Sequence, residues 1–144
     1  MIRRCLVLVG LQLTLASAGA WAQAPSGTMP TEFDGLWSVT QECPDSGTAK
    51  GYTARYSMVV KNGFAKAQWG IEGQPSSLTV SGQIQADGSA TMVANGLTGD
   101  PKFAVGSPQA SSPVGYTFPA QFTGRQGLGR RTIARPCKFT FEKQ

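Results

Sequence analysis

The chain has 144 residues, 13 Lys plus Arg against 8 Asp plus Glu, a formal net charge of +5 at pH 7, and no histidine. The lack of histidine removes the commonest general base, the commonest metal ligand and the usual switch near neutral pH. The length suits one domain with one core, and so mild a basic balance does not by itself call for a polyanionic partner.

The first stretch, MIRRCLVLVGLQLTLASAGAWA, places two arginines before an apolar run from Cys5 to Ala18 and then small residues. That pattern predicts a cleavable secretory signal over residues 1–22, cut after Ala22, and hence a periplasmic or secreted product. The apolar run is shorter than the roughly 20 residues of a bilayer-spanning helix, and no other run approaches that length, so no transmembrane anchor is expected. Cys5 lies ahead of the apolar run, where no lipoprotein cysteine stands, and Arg3-Arg4 reads as an ordinary basic leader. Residues 23–32 are rich in Pro, Gly, Ser and Thr and read as a flexible lead-in. Residues 33–144 then form a single β domain.

From Gly35 onward, Gly, Pro, Asn and Asp punctuate short runs of alternating apolar and polar residues, and no stretch carries helical spacing. The predicted strands are 35–43, 52–61, 64–71, 77–85, 89–96, 114–124, 128–135 and 137–143. Asn62-Gly63 supplies the two positive-φ positions of a type I′ hairpin turn, and a second turn falls at Ala86-Asp87-Gly88. About eight short antiparallel strands joined by tight turns predict an all-β fold: an up-and-down antiparallel β-barrel of the calycin-like kind, with a β-sandwich as the alternative. Alternation puts Trp37, Val39 and Cys43 on one face of the first strand and Cys137, Phe139 and Phe141 on one face of the last.

Without the signal, two cysteines remain, Cys43 and Cys137, and an even pair in an exported domain reads most simply as a disulfide. The long loop between them makes such a bridge worth about 4 to 5 kcal/mol on chain-entropy grounds, before strain is discounted. In a closed meander the first and last strands are neighbours. A bridge from the end of one to the start of the other fastens the seam.

Four stretches carry a resemblance: FDGLWSVTQECP, GYTARYSMVVKNG, GQIQADGSATMVANGLTG and GRRTIARPCKFTF. Together they resemble a family of small exported bacterial proteins of unknown function with the pattern F-D-G-x-W…C-P…G-R-R…P-C. The resemblance spans most of Phe33 to Phe141 and implies no activity. In architecture, Gly35-x-Trp37 is similar to the opening of lipocalin and avidin-type barrels. That likeness implies a tryptophan closing one end with a basic residue packed over it, here Arg130, Arg131 or Arg135; biotin contacts do not map onto this chain.

Few residues offer chemistry. The carboxylates fall in turns or at rims, as Asp34, Asp45, Asp87 and Asp100 do beside Gly or Pro, and no pair is opposed as a glycosidase requires. The run GRQGLGRR at 124–131 leads into a strand rather than a helix, so it reads as a hairpin and not as a phosphate loop. These absences predict no catalytic residue, no metal site and no cofactor. After Asp100, Arg125, Arg130, Arg131, Arg135, Lys138 and Lys143 face only Glu142 as an acid. Arg125, Arg130, Arg131 and Arg135 therefore make a candidate basic surface for an anionic envelope component, with solvated strand faces as the plainer account. Nucleic acid is not expected, because no aromatic and basic residues interleave for stacking.

The candidate ligand pocket is Trp37, Tyr52, Tyr56, Trp69, Phe103 and Tyr116, set against plain core packing as the competing reading. Small inward positions (Ala54, Ala65, Ala67, Gly82, Ala90, Ala94 and Ala120) leave room in an eight-stranded barrel for one small molecule. Loop 99–113 carries Phe103 and Val105 to the expected barrel mouth. The sequence thus predicts a non-enzymatic exported barrel with a small hydrophobic or amphipathic ligand. The alternative is an envelope or protein-interaction module acting through its basic surface.

Overall fold

A computed structural model describes residues 29–144; the signal expected over 1–22 and the first part of the lead-in lie outside the described residues. Eight strands follow one another: β1 Gly35–Cys43, β2 Tyr52–Lys61, β3 Phe64–Trp69, β4 Ser77–Gln83, β5 Ser89–Leu97, β6 Pro113–Thr123, β7 Gln126–Arg131 and β8 Cys137–Lys143. Each pairs antiparallel with the next, and β8 returns to β1, so the sheet closes as an up-and-down barrel. Closure leaves no free edge. The expected barrel is therefore found, and the sandwich alternative is not.

The turns explain the boundaries. Asn62 and Gly63 adopt φ of 52° and 72°, the mirror-image turn that their types favour. Gly70 at φ 70° ends β3 at Trp69, two residues before the expected end. Gly124 and Arg125 form the tight turn from β6 to β7, so GRQGLGRR is a hairpin. β7 spans 126–131 and not 128–135, because the chain bends after Arg131 and passes through Ala134 at φ 65°. Residues 98–112 contain the only helical turn among the described residues, a single 3-10 turn at Pro101–Phe103. Asp100 caps that turn, accepting from the Lys102 amide at 3.0 Å.

Cys43 and Cys137 are joined by a disulfide with a Cα–Cα distance of 4.3 Å. The β1–β8 ladder ends at Glu42 opposite Lys138, and the bridge occupies the next position. It fastens the closing seam.

Alternation along each strand fills the interior. Trp37, Met58, Ile84, Met92, Phe118, Phe122, Phe139 and Phe141 are fully buried. The Phe118 and Phe139 rings stack with centroids 4.0 Å apart, and they do so over β7, whose buried residues are Gly127 and Gly129. A Cβ on Gly129 would lie 2.8 Å from the Phe118 ring, and one on Gly127 would lie 2.6 Å from Phe122. Small residues on one strand thus admit large rings from its neighbours, as close packing requires. Among the small positions expected to leave room, Gly82 is used this way: Met92 Sδ lies 2.8 Å from where its Cβ would stand.

One end of the barrel is sealed. Trp37 Nε1 donates to the Phe33 carbonyl at 2.8 Å, and Phe122 meets the indole edge-on with centroids 5.5 Å apart. Asp34 accepts from the amides of Asn62 (2.8 Å) and Gly63 (2.9 Å), clamping the β2–β3 turn. Lys143 Nζ donates to the Glu32 carbonyl at 2.9 Å, so the last residues of the lead-in lie against the barrel floor. No helix among the described residues is long and apolar enough to cross a membrane.

Candidate functional site

The opposite end is open. Strand direction brings Cys43, Tyr52, Trp69, Ser77, Leu97, Pro113, Arg131 and Cys137 to it, with the connections 44–51, 70–76, 98–112 and 132–136. Between them lies a cavity of about 550 Å³. That is within the range of small-molecule sites, about 300 to 1,000 Å³. Tyr52, Trp69, Phe103, Val114 and Tyr116 supply apolar wall. Tyr52 and Trp69 are near-parallel, with centroids 6.2 Å apart, and Phe103 meets Tyr52 edge-on at 6.3 Å.

Gln41 lies one pleat below Cys43, fully buried on the inward face of β1. Its Oε1 accepts from the Tyr56 hydroxyl at 3.1 Å, and its Nε2 donates to the hydroxyls of Tyr52 (3.0 Å) and Tyr116 (3.5 Å). The chain has three tyrosines, and all three converge on this amide. A buried amide among apolar neighbours would be costly alone, and the hydroxyls satisfy it. Burial pushes all three phenols above their ordinary range, Tyr116 to about 12. At neutral pH they are hydroxyls that donate and accept.

Two guanidinium groups complete the mouth. Inward parity on β7 runs Gly127, Gly129, Arg131, so Arg131 turns toward the opening, and its guanidinium carbon sits 3.9 Å from the Tyr116 ring centroid. Its Nε donates to the Ile133 carbonyl at 3.1 Å. Arg135 is only 3 % exposed. It donates to the carbonyls of Phe103, Lys50 and Pro44, the last at 2.9 Å, and so fastens loops 44–51 and 98–112 to the β7–β8 connection. Its guanidinium carbon lies 5.0 Å from the Tyr52 ring, and its Nε is buried without a partner. Asp100 is the one carboxylate in the lining, and it pairs with Lys102 Nζ at 2.8 Å.

Of the six residues expected to form a pocket, Tyr52, Trp69, Phe103 and Tyr116 line it, and Tyr56 lies below, joined through Gln41. Trp37 does not join them: it is sealed into the far end. The lipocalin-like expectation of an arginine over that tryptophan also fails. Arg131 and Arg135 belong to the open end, and Arg130 points outward from β7. The four arginines of the candidate basic surface are likewise divided. Arg125 binds the Lys143 carbonyl at the sealed end with Nη2 (2.8 Å), Arg130 borders a shallow depression of about 700 Å³ on the outer wall, Arg131 faces the mouth, and Arg135 is buried. That outer depression holds no aromatic side chain and one charge, so it offers little for recognition.

Gln41 was not among the expected site residues. Its signal was available: the face that carries Trp37, Val39 and Cys43 passes through position 41, and a polar residue there needs a buried partner. Among the described residues no group of His, Cys, Asp and Glu is placed to hold a metal. No protein-family model, no curated protein and no solved structure matches this chain.

Proposed function

We propose that this protein is a non-enzymatic binding module that holds one small amphipathic molecule in the open end of its barrel. The observation that carries the reading is the asymmetry of the two ends. One is packed solid around Trp37, whereas the other opens as a cavity of about 550 Å³ whose aromatic walls include Tyr52 and Tyr116, both hydrogen-bonded to the buried Gln41 beneath. Apolar walls with a few convergent polar groups are the usual make-up of a small-ligand site. A binding rather than catalytic role is supported by tyrosines whose proton affinity is raised, the opposite of what a general base needs.

Export, to the periplasm or beyond, belongs to the same proposal. It is supported by the signal-like leader, by the disulfide, and by the resemblance to small exported bacterial proteins. Outward charges at mid-strand, such as Arg55 and Lys66, favour water rather than lipid around the barrel.

Native mass spectrometry of the protein purified from its own cells tests the reading. A defined extra mass that leaves on denaturation is expected. A bare polypeptide that also fails to bind N-phenyl-1-naphthylamine, followed by quenching of Trp69 fluorescence, would defeat it.

A further inference from the structure

We infer that the molecule held at the open end is an acid: an aromatic or aliphatic body carrying one carboxylate, sulfonate or phosphate ester, with its anionic group against Arg131. The inference rests on the proposed binding role and adds the charge of the ligand to it. Three observations carry it. The mouth has two guanidinium groups, and its one carboxylate, Asp100, is already taken by Lys102. Arg131 lines the opening against Tyr116, donates through Nε to the Ile133 carbonyl, and has no acid beside it among the described residues. Arg135 is buried among carbonyls with an unpartnered Nε and no carboxylate to neutralise it.

A half-buried cation without a counter-ion is poorly solvated, and a guanidinium presents paired donors that match a carboxylate, sulfonate or phosphate. Arg135 holds three loops by its carbonyl contacts and contributes its field. Arg131, half-buried in the lining and without an acid beside it, makes the contact. The aromatic body then lies between Trp69, Tyr52 and Phe103, and any hydroxyl it carries reaches the tyrosines around Gln41.

Two probes of the same body isolate the charge: N-phenyl-1-naphthylamine, which is neutral, and 1-anilinonaphthalene-8-sulfonate, which is anionic. The intact protein is expected to bind the sulfonate about ten- to a hundredfold more tightly, the range of a charge-assisted contact. Arg131→Gln brings that ratio near unity, Arg131→Lys keeps most of it, and Arg125→Gln at the sealed end leaves it unchanged. Should Arg131→Gln fail to fold, the ratio in the unaltered protein must fall as salt rises from about 20 mM to about 0.5 M, since exposed charge pairs are screened. Equal affinity for both probes, or a ratio indifferent to Arg131→Gln or to salt, overturns the acid while leaving the binding role intact. Binding of neither probe overturns both.

Discussion

Gln41 Oε1 accepts a hydrogen bond from the Tyr56 hydroxyl at 3.1 Å, across two strands whose other inward residues are almost all apolar. This pair, with Tyr52 and Tyr116 on the amide's other side, sets where the packed core stops and the open cavity begins. Replacing Gln41 by Leu leaves the Tyr56 hydroxyl without its partner. The expected loss is about 1 to 3 kcal/mol, the cost of an unsatisfied buried polar group. Urea unfolding checks it, and an unchanged midpoint would show that water or a side-chain shift replaces the amide.

The same three phenols predict the behaviour in alkali. Burial, the leading cause, raises the pKa of each, with Tyr116 at about 12 against an ordinary value of 10.0. A group whose native pKa is raised keeps its proton when the unfolded chain has lost it. Their contribution to stability is therefore full below pH 10 and falls as pH rises above it. Absorbance at 295 nm and circular dichroism, followed together, should change in one step as the barrel unfolds. A tyrosinate signal centred near pH 10 in a protein still folded would contradict the burial of this cluster.

Much of this arrangement was legible beforehand, and the part that was not has a physical reason. Alternation says whether a side chain points in or out, so the eight strands, the Asn62-Gly63 turn and the inward cysteines followed directly. Alternation says nothing of height along the barrel axis. Trp37 and Tyr52 are both inward, yet Trp37 pairs with Met58 near one end, whereas Tyr52 pairs with Cys43 at the other. Only the register separates a plug from a pocket wall. Arg135 was illegible for another reason: its inward course depends on Ala134 at φ 65°, a conformation that alanine does not announce.

The disulfide continues the β1–β8 register by one position, so it locks a seam that the ladder already closes. Intact mass should differ by about two daltons between oxidised and reduced protein, with no thiol alkylated in the native form. Cys43→Ala with Cys137→Ala is expected to cost about 2 to 5 kcal/mol. Two alkylatable thiols in the native protein would rule out the bridge.

Gly129 leaves no room for a side chain in the barrel interior. A side chain there meets the Phe118 ring at 2.8 Å, and that ring cannot retreat because Phe139 is stacked against it at 4.0 Å. Gly129→Ala is therefore expected to destabilise by about 1 to 3 kcal/mol, the usual range for overpacking a filled core. Guanidinium unfolding measures it, and a midpoint equal to that of the unaltered protein would mean that β7 shifts outward to make room.

At the sealed end, Asp34 predicts an acid dependence of opposite sense to that of the tyrosines. Its carboxylate accepts from the amides of Gly63 and Asn62, and these bonds hold its pKa below the ordinary 3.8. A group with a depressed native pKa stabilises the fold above its unfolded pKa, and that contribution is lost as pH falls through the native one. Asp34→Asn retains one acceptor for two amides, so it should lower the thermal midpoint at neutral pH. The gap between the two proteins should stay constant down to about pH 4 and close below that as the native carboxylate takes up its proton. Asp87 and Asp100, whose pKa values are also depressed, titrate alike in both proteins and cancel from the difference. A gap that persists unchanged to about pH 2 would mean that the clamp on the β2–β3 turn depends on the shape of the side chain rather than on its charge.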